Sequence, residues 1–263
     1  MVRFQASVLA SGSKGNSVFV CSDRTSLLFD AGVSRKRIFG AIDALGADRS
    51  RLAGIVVSHE HSDHIAGIGA IVRALKIPVF ISEPTFRMCR NRLEPLPAGT
   101  VHFEPGDELP IGDLVVTTLA ASHDAVDGSH FVVRAQDVPG HALGIVTDAG
   151  YSSNLLITRL HGVSSLILES NHDLRMLMDG PYPWDLKQRI RGRQGHLSNE
   201  QAVGLLSQII HPGLRNLVLA HLSEINNTPE LAEKAMRAYL GEIRHDTRLF
   251  VAQQDASTPL IDI

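Results

Sequence analysis

Histidine supplies 13 of the 263 residues, and its densest cluster is Ser58-His59-Glu60-His61-Ser62-Asp63-His64. This box follows an apolar strand that closes with Ile55–Ser58 and precedes a segment of helical spacing, 66–75. His59 and His61 are two apart, so at a strand end or in a tight loop both rings can point the same way. Asp63 and His64 turn into the following helix and can face a neighbouring position. Four potential ligands in six residues can therefore serve two metal ions side by side. Imidazole and carboxylate suit zinc, with manganese or iron as further options. A hydrated polar loop would explain one such histidine, but not this spacing behind a buried strand.

The elements that must position this box alternate along the whole chain. Residues 5–10, 17–22 and 25–29 read as strands, 34–45 as a helix, and 78–82, 101–103, 114–120, 129–136 and 141–147 as further strands, with a helix at 84–92 among them. In the second half, strands at 163–169, 215–220 and 247–251 alternate with helices at 182–191, 198–210 and 228–240. Thr228 followed by Pro229 marks a helix start. Strand clusters interleaved with helices predict one layered α/β domain over 1–263. No Gly-rich dinucleotide fingerprint follows a strand, which counts against a simple Rossmann arrangement.

Composition narrows the class further. Hydrophobic residues make up 44% of the chain, ordinary for a globular protein with a sizeable core. No apolar run approaches the roughly 18 residues of a membrane span, and the opening MVRFQASVLASGSKGN reads as mature sequence rather than a secretory signal. Cys21 and Cys89 are isolated, which predicts a reducing, cytoplasmic setting without a disulfide framework. The net charge of −3 argues against a surface coated for non-specific nucleic-acid binding, though not against a local basic patch.

The His/Asp box resembles the HxHxDH signature of the metallo-β-lactamase superfamily. That resemblance implies an αββα sandwich with a dimetal site at one edge of two packed sheets, and further ligands at later strand ends. His123 follows strand 114–120, Asp148 follows Ala142–Thr147, and His221 follows Leu217–Ala220. The resemblance implies that His59, His61 and His123 hold one ion, that Asp63, His64 and His221 hold the other, and that Asp148 bridges them. Asp30, in Leu28-Phe29-Asp30-Ala31-Gly32, matches a family position too; there it would accept the outer N–H of a ligand histidine. A turn Asp capping the next helix is the alternative.

Since this fold hosts many hydrolases, the substrate must come from other residues. Gly195-His196-Leu197-Ser198-Asn199 resembles the His-bearing motif that the ribonuclease Z-like branch sets opposite its metals, where the histidine contacts phosphate and assists the leaving group. Without that likeness, His196 is a loop residue ahead of the cap Ser198. The run Lys187-Gln188-Arg189-Ile190-Arg191-Gly192-Arg193 carries four cations and no acid. Arg189, Arg191 and Arg193 are therefore candidates for phosphate contact, or simply a solvated helix face. Ser11-Gly12-Ser13-Lys14-Gly15-Asn16-Ser17 is a small polar loop that can offer Ser13, Asn16 and backbone N–H groups to an anion, or serve as a plain hairpin turn. Asn199 completes the candidate substrate contacts.

Within the superfamily the chain resembles the small bacterial WalJ/YycJ-like family, which is associated with exonuclease action on DNA ends. The matching segments are Ala10-Ser11-Gly12-Ser13 through Asn16, the HEHSDH box, Glu169-Ser170-Asn171-His172-Asp173, Gly195 to Asn199, and His221-Leu222-Ser223 with Asn226-Asn227. Asn171 and His172 either edge the site or cap a turn. Only 24 residues separate His123 from Asp148, too few for the tRNA-binding arm of many ribonuclease Z enzymes, and no β-CASP-sized insertion lies between Asp148 and His196. The resemblance thus implies a compact nuclease or small-nucleotide phosphodiesterase with a metal-bridged hydroxide as nucleophile. Asp63 would orient that nucleophile, and His196 would serve the leaving oxygen. The competing readings are a carboxyl-ester, lactone or thioester hydrolase on the same two ions, and a metal-stabilised binding protein.

Overall fold

In the computed structural model, which describes residues 3–263, the apolar runs pair into two seven-stranded sheets. In chain order the strands are β1 (Phe4–Ala10), β2 (Ser17–Ser22), β3 (Ser26–Phe29), β4 (Leu52–Val56), β5 (Val79–Phe80), β6 (Thr100–Val101) and β7 (Glu108–Ile111). They continue with β8 (Leu114–Ala120), β9 (Ser129–Ala135), β10 (Leu143–Val146), β11 (Ser165–Glu169), β12 (Asn216–Ala220), β13 (Arg248–Val251) and β14 (Ile261–Asp262). The first sheet runs β14-β1-β2-β3-β4-β5-β6 and the second β13-β12-β11-β10-β9-β8-β7.

Side-chain alternation explains why both sheets are covered on both faces. On β3, Leu27 and Phe29 face the other sheet while Leu28 faces away; on β11, Ile167 faces inward and Leu166 and Leu168 outward. The inner residues meet in one core between the sheets, where Phe29 and Phe131 pack with ring centroids 5.1 Å apart. Outer residues of the first sheet are covered by α1 (Arg35–Ala44), α2 (Ser62–Ile65), α3 (Ile68–Leu75) and α4 (Glu83–Leu93). Those of the second are covered mainly by α5 (Asn154–Leu160), α8 (Asn199–Ile209) and α9 (Pro229–Glu242), while α6 (Leu174–Asp179) and α7 (Trp184–Arg191) lie between β11 and α8 in sequence. The result is the expected αββα layering.

Several boundaries differ from the sequence reading for identifiable reasons. The helix expected over 66–75 begins at Ile68, because the Gly67 N–H turns out of the helix to donate to the Ala31 carbonyl at 2.7 Å. The separate turn α2 ahead of it carries Asp63 and His64. Strand β7 contains Pro110 and pairs only with β8 at the sheet edge. Caps fall where expected: Thr228 accepts the Leu231 N–H with Pro229 in the first turn, and Ser198 and Gln201 form a reciprocal capping box. Asp30 is not a helix cap, since Ser34 takes that role for α1.

Strand direction decides where chemistry can gather. β3 and β4 are parallel, as are β10, β11 and β12, and β8 is antiparallel to β9, which is antiparallel to β10. Of these seven strands, all but β9 therefore end at one edge of their sheet. The segments that leave them carry Asp30, His59, His123, Asp148, Glu169 and His221.

Candidate metal centre

These strand ends converge on a single pocket at the seam between the sheets, with a volume of about 330 Å³. His61, Asp63, His123, Asp148, His196 and His221 line it. Four overlapping sets of donor atoms gather there, each within 4.8 Å of one another: His59, His64 and Asp148; Asp148, Glu169, His196 and His221; and the two sets expected from the sequence, His59, His61 and His123 in one and Asp63, His64 and His221 in the other. Asp148 lies between them, with Oδ2 3.3 Å from His64 Nε2 and Oδ1 3.4 Å from His221 Nε2 and 3.7 Å from His123 Nε2.

Each ring is turned by the partner behind it. His64 Nδ1 faces Asp30 Oδ2 at 2.7 Å, and Asp30 also accepts the Ser58 N–H and hydroxyl at 2.8 and 2.6 Å. Since Ser58 Oγ donates to Asp30, it accepts from His59 Nδ1 at 2.9 Å. His123 Nδ1 donates to the Gly195 carbonyl at 3.1 Å, and His221 Nδ1 to Glu169 Oε1 at 3.0 Å. In all four residues the outer nitrogen carries the proton, which leaves Nε2 as the ligand atom. His61 is the exception: its Nδ1 lies 3.0 Å from His59 Nε2.

Loop packing around Asp63 is equally tight. Asn16 N donates to the Asp63 carbonyl at 2.7 Å and Gly32 N to the Asn16 carbonyl at 2.8 Å. A Cβ on Gly32 would stand 1.5 Å from that Asp63 oxygen, so only glycine permits this approach. Asp30, Asp148 and His221 adopt left-handed backbone conformations, with φ of 58°, 57° and 56°.

The donor set fits divalent ions. Asp148 Oδ2 and His221 Nε2 are buried without a hydrogen-bond partner, which is costly unless a cation completes them. Without ions, protons supply the missing charge. Burial opposes a charged His221, but Asp148, Asp63 and Glu169 outweigh it and push its pKa up to about 10. His64 is likewise raised well above its ordinary value, against burial, by Asp148 and Asp30. Burial would raise the carboxyls, but facing His221 and His64 hold both Asp148 and Asp63 well below the usual range. His59, by contrast, is pushed well down by burial.

One central residue had no assigned role in the sequence reading: Glu169. It is fully buried at the end of β11, and Oε2 accepts the Ala149 and Leu197 N–H groups at 2.8 and 3.0 Å. Oε1 accepts from His221 Nδ1 at 3.0 Å and from His196 Nδ1 at 2.8 Å. Burial opposes its charge, yet His196 and His221 hold its pKa at about 2. His196 lies over the centre, its ring 5.2 Å from that of His221, and its pKa is raised, against burial, by Glu169. The sequence signal for Glu169 was a carboxylate closing an otherwise apolar strand.

The substrate candidates divide. Ser13 lines the pocket. Asn16 is buried beneath the ligands instead, bonded to Gly12 and 3.3 Å from Asp63 Oδ2 and 3.1 Å from His64 Nε2. Asn199 is a correction: it is buried away from the pocket lining, where its amide pairs reciprocally with Asn227 at 2.9 and 3.0 Å and accepts from Ser170 at 2.6 Å. The three arginines do not form one patch. Arg189 lines the pocket but is ion-paired to Asp124, Arg191 points to Met178 Sδ at 3.4 Å, and Arg193 stacks on Tyr151 at 4.1 Å. Asn171 lines the pocket and donates to the His221 carbonyl at 2.9 Å, whereas His172 is buried behind it. Cys21 and Cys89 are buried and unbridged, and burial raises both thiols to about 11. Among the described residues, no helix is long and apolar enough to cross a membrane.

Fold and site together define a metal-dependent hydrolase, and the comparisons agree: residues 10–162 match the metallo-beta-lactamase superfamily, to which the chain belongs. Nearer relatives are the exodeoxyribonuclease YycJ of Bacillus anthracis, 36% identical over 90% of this chain and 89% of its own length, and the exodeoxyribonuclease WalJ of Streptococcus pneumoniae, 32% identical over 100% and 99%. The metallo-beta-lactamase fold protein YhfI of Bacillus subtilis superposes with a TM-score of 0.74 over 98% of this chain and 99% of its own, at 17% identity.

Proposed function

We propose that the protein is a metal-dependent phosphodiesterase that degrades DNA from its ends. Two ions, zinc or manganese with iron as an alternative, would be held by His59, His61 and His123 and by Asp63, His64 and His221, with Asp148 between. When bound, such a pair acidifies water and neutralises charge on phosphoryl oxygens. Asp63, 24% exposed to the pocket, orients the attacking water and takes its proton. His196, whose Nδ1 is committed to Glu169, delivers a proton from Nε2 to the departing sugar oxygen as the phosphorus–oxygen bond breaks. Glu169 stays ionised and keeps the ring charged and aligned.

The observation that carries this reading is His196 itself, a proton donor over the metal set whose Nδ1 is taken up by Glu169. An alkoxide is a poor leaving group without a proton, whereas a thiolate departs unaided, so a thioesterase would have no use for this dyad. The exodeoxyribonuclease relatives supply the choice of DNA ends. We read residues 1–263 as one unit, because β14 returns from the second half to pair with β1. Two buried free thiols suit the cytoplasm. The deciding experiment compares wild type with His196→Ala on end-labelled DNA, bis-p-nitrophenyl phosphate, a thioester and a lactone, with zinc or manganese. The variant should keep its metal and lose roughly 10²–10³ in phosphodiester turnover. Efficient thioester or lactone hydrolysis with phosphodiesters left intact would overturn the assignment.

A further inference from the structure

A second groove, of about 740 Å³, continues from the catalytic pocket and shares Asp124 and Arg189 with it. Its other walls are Ser122, Tyr151, Arg193 and Gln194. Here the Arg193 guanidinium lies 4.1 Å from the centre of the Tyr151 ring. Arg189 is neutralised by Asp124, but Arg193 has no carboxylate partner among the described residues. The groove thus presents a flat, cationic, half-aromatic surface beside a site for anionic esters.

The loops that build this surface are those that carry the chemistry. Tyr151 follows Asp148 by three residues and Arg193 precedes His196 by three. Ser122, next to His123, accepts the Gly150 N–H at 2.7 Å and donates its hydroxyl to the Arg193 carbonyl at 2.8 Å. Asp124 N donates to the Gln194 carbonyl at 3.0 Å. A Cβ on Gly150 would meet the Arg193 carbonyl oxygen at 2.1 Å, so the two loops are in backbone contact. The Tyr151–Arg193 stack is therefore held in fixed register with His123, Asp148 and His196.

Resting on the phosphodiesterase reading, we propose that Tyr151 and Arg193 form a subsite for an unpaired nucleotide next to the scissile phosphate. The base stacks on the guanidinium–phenol pair and the free guanidinium edge meets the neighbouring phosphate. The substrate is then a single-stranded polynucleotide end, not a small phosphodiester.

The test measures Tyr151→Ala, Tyr151→Phe, Arg193→Ala and wild type, each loaded with manganese, on a short oligothymidylate and on bis-p-nitrophenyl phosphate. Tyr151→Ala and Arg193→Ala should raise KM for the oligonucleotide roughly tenfold more than KM for the small ester, with little change in kcat. Tyr151→Phe keeps the ring and should retain most of the affinity. Arg193→Ala should also flatten the salt dependence of oligonucleotide binding measured by fluorescence anisotropy. Equal effects on both substrates, or none on either, overturn the subsite. If wild type cleaves no phosphodiester at all, the phosphodiesterase reading fails, and anisotropy still judges the subsite: undiminished oligonucleotide binding by both alanine variants overturns it.

Discussion

Replacing Glu169 by Gln changes one atom and should disable two functions at once. In wild type, Oε2 accepts two backbone N–H groups and Oε1 accepts two imidazole Nδ1–H groups. The backbone donors of Ala149 and Leu197 cannot turn around, so the Gln oxygen must face them and the NH₂ group must face His196 and His221. A donor now meets a donor. To be satisfied, His221 must carry its proton on Nε2, the buried nitrogen that serves as the ligand atom, and His196 can no longer hold a charged ring. Two charge-assisted hydrogen bonds at about 1.5–3 kcal/mol each amount to about 3–6 kcal/mol of lost support. Part of this returns through relaxation of the exposed side of His196. Metal affinity should fall about 10–100-fold, as for other changes behind a ligand histidine. With metal saturating, turnover should still fall roughly 10²–10³-fold because the proton donor is misassigned. Competition with a chelator gives the first number and steady-state hydrolysis of bis-p-nitrophenyl phosphate the second. Wild-type affinity together with wild-type turnover would refute the proton assignment on which both arguments depend.

Metal uptake should release protons at neutral pH. His221, with a pKa near 10 in the metal-free protein, and His64, raised well above its ordinary value, are both protonated there, so the ion held by Asp63, His64 and His221 displaces their protons and its affinity should climb as pH rises toward 10. Calorimetric titration in two buffers of different ionisation enthalpy checks this, and identical heats in both would count against it. Gly32→Ala should destabilise the fold beyond the roughly 0.5–3 kcal/mol of most single substitutions, since its Cβ would collide with the Asp63 carbonyl oxygen at 1.5 Å. Urea unfolding of the two proteins measures the difference; a midpoint equal to wild type would show that the loop yields freely.

Much of the site was legible because strand ends are legible. An apolar alternating run that stops at a polar residue marks its own edge, and parallel strands carry such edges to one side. Asp30, the HEHSDH box, His123, Asp148 and His221 could all be placed this way. Glu169 closes its strand in the same manner, but its two imidazole partners arrive from segments 27 and 52 residues further along, a closeness that no local pattern records. The arginine run does not form one patch, for a geometric reason. Arg189 and Arg191 fall on different sides of α7, which turns about 100° per residue, and Arg193 lies beyond the helix. Asn199, a candidate substrate contact within the Gly195–Asn199 motif, sits at the start of α8, which delivers it to Asn227. Short elements such as α5, α6, β7 and β14 offered too few residues for a period to emerge.

The left-handed backbone at Asp30, Asp148 and His221 has a bearing on how this protein could be engineered. Each such residue costs about 1–2 kcal/mol relative to glycine in the same conformation. At Asp30 three hydrogen bonds offset that cost, but Asp148 and His221 each also bury an unpartnered atom. In the absence of ions, the folded chain is therefore less stable than its sheets and helices would allow, and the deficit is concentrated at residues needed for turnover. A library screened in chelator for heat resistance alone would enrich glycine or asparagine at 148 and 221, and its best survivors would be inert. Screening with the metal present reverses that pressure, because ions that bind only the folded chain reward the strained ligands.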